Sequence, residues 1–301
     1  MSGESDEDDE PRTWDINAGD LELNSLIGEG TTSTVFMGTL RGEIVAIKEI
    51  RMQTGSDSLD KGIIQSVQRE LRVLSRVNHP NILRFIGLVV ETLPLRLVLE
   101  YCAGGSLFEL LHNYWDIPLT WKQNTKALLD TSTATNYLHE FEPPIVHRDL
   151  KSLNLMLLDR IDSTHFTMPH IKLADFGFAR IQEPAMTQGV GTKHWMAPEV
   201  LMGTEYTVKA DVFSFAMVAY EVVCRHVPFE RQDATTVASL TKAGERPDLQ
   251  DETVVPREVP PGLLDLIVRC WDQDPEVRPS FREIVSIVKR IDESVPDHFS
   301  L

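Results

Sequence analysis

Between residues 20 and 101 the apolar positions fall in short runs. Val35-Phe36-Met37, Ile44-Val45-Ala46-Ile47 and Leu95-Arg96-Leu97-Val98-Leu99 are apolar or β-branched, with glycine or proline close by, and predict strands. One stretch departs from this. Ile63, Ile64, Val67, Leu71 and Leu74 recur three and four residues apart, which predicts a helix over Ile63–Val77. After Gly104-Gly105 the period is helical, as in Phe281, Ile284, Val285, Val288 and Ile291. The run around Val212–Val223 is apolar almost all round, which predicts a buried central helix. A small strand-rich lobe (about 20–101) thus precedes a larger helical one (about 104–295), an α+β architecture.

Composition adds limits. The chain has 301 residues, 42% hydrophobic and 25% charged, which suits a globular protein able to bury a sizeable core. The net charge is −17, and residues 1–20 hold eight acids against one arginine. Such acidity argues against nucleic acid or anionic membrane as a partner. Residues 1–13 have little to bury and are predicted to be a disordered acidic tail, either an inert solvated end or a docking tail. Cys102, Cys224 and Cys270 form no CxxC pair, so neither a zinc site nor a disulfide framework is expected. The start MSGESDEDDE lacks the features of a signal peptide. The most apolar segment, Val212–Cys224, is 13 residues long, short of the ~20 a bilayer requires. No membrane span is expected, and a cytoplasmic location is.

Two strings carry chemistry. In His147-Arg148-Asp149-Leu150-Lys151-Ser152-Leu153-Asn154, Asp149 can orient a hydroxyl, Lys151 can face a transferring phosphate and Asn154 can offer a metal its amide oxygen. Asp175-Phe176-Gly177 adds a metal-binding carboxylate, Asp175. Upstream, Ile27-Gly28-Glu29-Gly30-Thr31-Thr32-Ser33-Thr34-Val35 places glycines where backbone N–H groups can approach phosphates. A hairpin turn would use them too. Lys48, on the apolar strand Val45-Ala46-Ile47-Lys48, can pair with nucleotide phosphates and with a helix glutamate, Glu70, or snorkel at a sheet edge. A P-loop NTPase would need GKS or GKT after its glycines, and the chain has neither.

In this order the residues resemble the eukaryotic protein kinase family, over about residues 20–292. The resemblance rests on Gly28/Gly30, Lys48, Glu70, the catalytic loop, Asp175-Phe176-Gly177, Ala197-Pro198-Glu199, Asp211 and Arg278. Trp195-Met196-Ala197-Pro198-Glu199 and Cys270-Trp271-Asp272-Gln273-Asp274-Pro275 resemble most the tyrosine-kinase-like group, whose members mostly modify serine and threonine. The resemblance implies a bilobal kinase domain over 14–295, with a mostly antiparallel N-lobe and a helical C-lobe. It implies ATP and Mg2+ as cofactors and protein substrates. Ile27, Val35 and Ala46 would cover one face of adenine and Met156 the other. Glu100 and Cys102 would offer it backbone hydrogen bonds, with Leu99 limiting the back pocket. Gly28, Glu29 and Gly30 would lie over the phosphates. Lys48, held by Glu70, would neutralise the α/β-phosphates. Asn154 and Asp175 would hold magnesium, Asp149 would accept the hydroxyl proton and Lys151 would balance the γ-phosphate. Lys151 and Thr192 point to serine/threonine specificity. A catalytically weak pseudokinase scaffold and a dual-specificity kinase are the alternatives.

Glu199 and Arg278 are read as an architectural pair. Asp211 can cap the helix it precedes, bond the catalytic-loop backbone, or both. His147 is expected to pack beneath the site, and Cys102 to be a small hinge residue or a reactive thiol. Ser33 stands where the family has its third glycine. Thr187, in the activation loop 178–193, is the candidate acceptor for an upstream kinase; its phosphate would pair with Arg148, or it is a solvated threonine.

Overall fold

The computed structural model describes residues 14–30, 33–51, 71, 73–91, 93–162, 167–176 and 192–296. They fall into two compact units.

The first unit is a five-stranded antiparallel sheet of β1 (Leu21–Glu29), β2 (Ser33–Leu40), β3 (Glu43–Ile50), β4 (Phe85–Val89) and β5 (Arg96–Glu100), in the order β1-β2-β3-β5-β4. Register assigns its two faces. Val35, Lys48 and Leu97 are opposed across β2, β3 and β5, as are Met37, Ala46 and Leu99. Opposed residues share a face and alternate ones return to it, so all six lie on one side. On the other, Val45, Ile47 and Val98 form a core with Ile16, Leu21 and Val89, and Phe36 packs against it. Residues 14–16 run along β4, with Leu88 N–H donating to Trp14 O and Ile16 N–H to Leu88 O, both at 2.9 Å. Gly38 is required by close approach: a Cβ there would stand 2.1 Å from Glu22 O.

The second unit is mainly helical, with α1 (Leu107–His112), α2 (Trp121–His139), α3 (Pro198–Met202), α4 (Lys209–Cys224), α5 (Ala234–Lys242), α6 (Leu263–Cys270) and α7 (Phe281–Ser294). Two short strands, β6 (Leu155–Leu157) and β7 (Ile171–Leu173), pair antiparallel. Capping boxes Ser106/Glu109, Thr120/Gln123 and Ser280/Glu283 start α1, α2 and α7 by satisfying N–H groups that the first helical turn leaves open. The expected central helix is α4, buried from Ala210 to Cys224. α7 buries Phe281, Ile284, Val288 and Ile291, and Phe281 meets Phe215 of α4 edge-on at 5.6 Å.

Residues 71, 73 and 74 are helical; the rest of the expected helix before them lies outside the described residues. Beyond it the chain joins β7. Leu83 N–H donates to Leu173 O at 2.9 Å, Leu173 N–H to Asn81 O at 2.8 Å, and Asn81 Nδ2 to Ile171 O at 3.0 Å. The described residues of 71–83 therefore pack with the helical unit, although strands flank them in sequence.

Asp211 corrects one expectation. It is the third residue of α4, whose N-cap position is Val208 with no side-chain cap; its carboxylate is used elsewhere. Among the described residues no helix is long and apolar enough to cross a membrane.

Candidate active site

The catalytic string hangs from α4. Asp211 Oδ1 accepts Arg148 N–H and Oδ2 accepts His147 N–H, each at 2.8 Å, and His139 Nε2 lies 2.9 Å from Oδ2. This holds Arg148 at a φ of 71°, a left-handed conformation unfavourable to a residue with a Cβ. The Arg148 guanidinium lies 4.7 Å from the Tyr206 ring centre. His147 is fully buried as expected, edge-on to Phe176 at 5.3 Å, with Nε2 3.1 Å from Ala174 O.

Asp149 is 4% exposed. One carboxylate oxygen, Oδ2, is engaged by Lys151 Nζ at 2.6 Å and Asn154 Nδ2 at 2.9 Å. The other, Oδ1, is buried without a hydrogen-bond partner among the described residues. Burial pushes the Asp149 pKa up, and nearby Asp175 adds to this; Lys151 and His147 reverse it only in part. Asn154 Nδ2 also donates to Asp149 O at 2.8 Å. Its amide oxygen is thus the part suited to a cation. Asn154 O accepts Ala174 N–H at 2.8 Å, which ties the catalytic loop to the residue before Asp175. Asp175 itself has a φ of 63°. Its carboxylate and the Asn154 amide oxygen are hard donors fit for magnesium, which takes few protein ligands when phosphates supply others. No cluster of three or more His, Cys, Asp or Glu that could hold a metal occurs among the described residues. Met156 of β6 is opposite Lys172 of β7 and bridges to Ser106, and Cys102 is buried.

In the sheet unit, Gly28 is opposite Val35, which puts it in register with the face bearing Ala46, Lys48 and Leu99. Ile27 is the extra residue of a bulge between Leu26 and Gly28, and is 46% exposed. Glu29 forms an ion pair with Arg51, whose Nε donates to Thr34 Oγ1 at 3.0 Å. Gly30 N–H donates to Ser33 O at 2.9 Å and closes the loop. Among the described residues, a Cβ at Gly28 or Gly30 would meet nothing nearer than 3.6 Å, and neither glycine is left-handed. Packing among these residues does not demand glycine at either position; a phosphate lying against the loop would use the space a Cβ fills. Glu100 N–H donates to Arg84 O at 2.9 Å, and Glu100 Oε2 accepts Arg84 N–H at 3.2 Å. Glu70, Gly177 and Thr187 lie outside the described residues.

Sequence reading passed over one residue, Glu221. It is fully buried in α4 and accepts from Trp195 Nε1 at 2.6 Å and Ser152 Oγ at 2.7 Å, with His112 Nε2 at 3.0 Å. Burial pushes its pKa up, and these three partners offset that in part. The available signal was a lone acid inside an apolar helical run, because a buried charge needs partners.

The protein kinase domain family model matches residues 21–288. The chain is 37% identical over 276 residues to "Probable serine/threonine-protein kinase drkC" of Dictyostelium discoideum, covering 90% of this chain and 34% of that protein. It is 34% identical to "Serine/threonine-protein kinase VIK" of Arabidopsis thaliana, covering 95% and 64%. It is 36% identical to "Mitogen-activated protein kinase kinase kinase 7" of Bos taurus, covering 92% and 45%. The chain thus spans less than two thirds of each of these curated relatives. With the family's ordered residues present and its model matched over nearly the whole chain, this protein belongs to the protein kinase family.

Proposed function

We propose that the chain is an active protein kinase domain that transfers the γ-phosphoryl group of ATP to serine or threonine hydroxyls of protein substrates, in the cytoplasm and in signalling. The carrying observation is the asymmetry of Asp149: Lys151 and Asn154 hold Oδ2, while Oδ1 is buried and, among the described residues, unpartnered.

That asymmetry assigns work to each atom. Oδ2 fixes the carboxylate's rotation, and Oδ1 remains to accept the hydrogen of an incoming hydroxyl. Burial makes the carboxylate a stronger base than an exposed one, which suits proton acceptance late in transfer. Lys151 then offsets charge on the transferring oxygens. Lys48 would neutralise the α/β-phosphates, with Glu70 as its partner. Val35, Ala46 and Ile27 would cover adenine from one side and Met156 from the other, and Glu100 and Cys102 would bond its edge. Glu29 flanks the phosphate loop of Gly28 and Gly30. Magnesium held by Asn154 and Asp175 would neutralise phosphate charge. Phosphoryl transfer needs mainly position and electrostatics from the protein, and fixed groups in a buried site provide them. Lys151 and the names of the Dictyostelium and Arabidopsis relatives support serine/threonine specificity.

Radiolabel transfer from ATP to a generic protein, with and without magnesium, tests this. Magnesium-dependent label on serine and threonine is expected. Nucleotide binding without transfer would favour the pseudokinase reading, and label on tyrosine the dual-specificity one.

A further inference from the structure

Ser152 lies on the turn between Lys151 and Asn154, is fully buried and gives its hydroxyl to Glu221 Oε1 at 2.7 Å. Trp195 lies just before Ala197-Pro198-Glu199 and gives its indole N–H to Oε2 of the same carboxylate at 2.6 Å. Ser214, also on α4, donates to Trp195 O at 2.8 Å, so that segment is held to α4 at two points. His112 at the end of α1 closes the set, 3.0 Å from Oε1, with its ring against Phe108 at 4.5 Å. A single buried acid therefore gathers donors from the catalytic loop, from the chain that follows the activation loop, and from α1.

Shape filling does not require this. An apolar side chain would pack in α4 as its neighbours do, whereas a buried carboxylate is tolerated only when its donors are fixed in place. Asp211 secures the loop's first residues, His147 and Arg148. The far side, where Asn154 N–H donates to Lys151 O and Leu155 N–H to Ser152 O, has Ser152 as its tie to α4.

We propose that Glu221 is a positioning residue for phosphoryl transfer, acting through Ser152 on the turn that holds Asp149, Lys151 and Asn154, and through Trp195 on the segment before α3. The proposal rests on the kinase reading above. Its effect falls on turnover rather than on nucleotide binding, since none of the three side chains belongs to the proposed nucleotide-binding set.

The test compares the parent with Ser152→Ala, Glu221→Gln and the double variant. Turnover is expressed per nucleotide-binding site, titrated with a fluorescent ATP analogue, so that unfolded protein is not counted. Ser152→Ala is expected to lower kcat by about tenfold or more, since small misplacements of reacting groups are costly. Its KM for ATP should change by less than about twofold. The double variant should fall no further than the worse single one, because the two changes break one link. Hydrogen exchange at the Asn154 and Leu155 amides should accelerate in both single variants, a readout independent of activity. Parental kcat per site in Ser152→Ala, unchanged exchange, or losses that multiply in the double variant would each overturn the proposal. A parent that binds nucleotide but transfers no phosphate would overturn the kinase reading, and this inference with it.

Discussion

Asp211 holds Arg148 by its main chain: Oδ1 accepts the Arg148 N–H at 2.8 Å from within α4. The Arg148 guanidinium packs over the Tyr206 ring, while the strained backbone beside Asp149 is fixed by a fully buried acid. Both oxygens of Asp211 face donors, so an amide there would turn an NH2 against an N–H.

Asp211→Asn is expected to cost about 3–5 kcal/mol in urea unfolding at pH 7, the range for breaking a buried charged pairing. Burial alone would raise the Asp211 pKa, but His139 and the loop N–H groups outweigh it and hold the value below the usual carboxylate range. The stability it contributes is therefore present above the unfolded value of about 3.9 and lost as pH falls through the lower folded one. The variant's stability should accordingly fall less steeply below about pH 4 than the parent's.

Asp149 titrates the other way. Its pKa is raised, chiefly by burial, so the ionised group opposes folding once pH exceeds its ordinary value. Asp149→Asn should melt a few degrees higher than the parent at pH 7, while turnover drops about 10²–10⁴-fold and nucleotide binding persists. Calorimetry and initial rates check the two halves; a lower Tm with unchanged turnover would contradict both.

Arg278 and Glu199 form a buried two-pronged ion pair, with Nη1–Oε1 at 2.7 Å and Nη2–Oε2 at 2.9 Å. Arg278 also donates to Asp272 O and Lys209 O, at 2.8 and 2.9 Å, and its guanidinium and that of Arg246 both pack on Phe213. Arg278→Leu leaves Glu199 buried without its partner and should cost about 3–5 kcal/mol. Adding Glu199→Met should recover part of that, as seen by the urea midpoint, since the charge left behind is then removed.

Gly28 and Gly38, on neighbouring strands, differ in the room they leave for a Cβ. Gly38→Ala puts a methyl 2.1 Å from Glu22 O and 2.3 Å from Ile47 Cδ1, and should cost about 1–3 kcal/mol. Among the described residues, the methyl of Gly28→Ala meets nothing nearer than 3.6 Å. It should leave stability within about 0.5 kcal/mol while raising the KM for ATP several-fold. Thermal melts and ATP titrations distinguish the pair.

What the chain alone determined was local or ordered along the sequence. Alternation and β-branching placed β2, β3 and β5, and the three-to-four-residue period placed α7, because strand and helix geometry impose those repeats on any amphipathic segment. The order of Gly28, Lys48, Asp149, Asn154 and Asp175 pointed to the kinase family before any coordinate. Tertiary structure alone decided how buried polar groups are satisfied. Asp211 beside an apolar run reads equally well as a cap, and only long-range packing turned it toward His147 and Arg148. Glu221 has Ser152 69 residues away and His112 109 away. Periodicity reports which face of a helix is apolar, whereas the partner of a buried carboxylate depends on which distant donors the fold delivers to it.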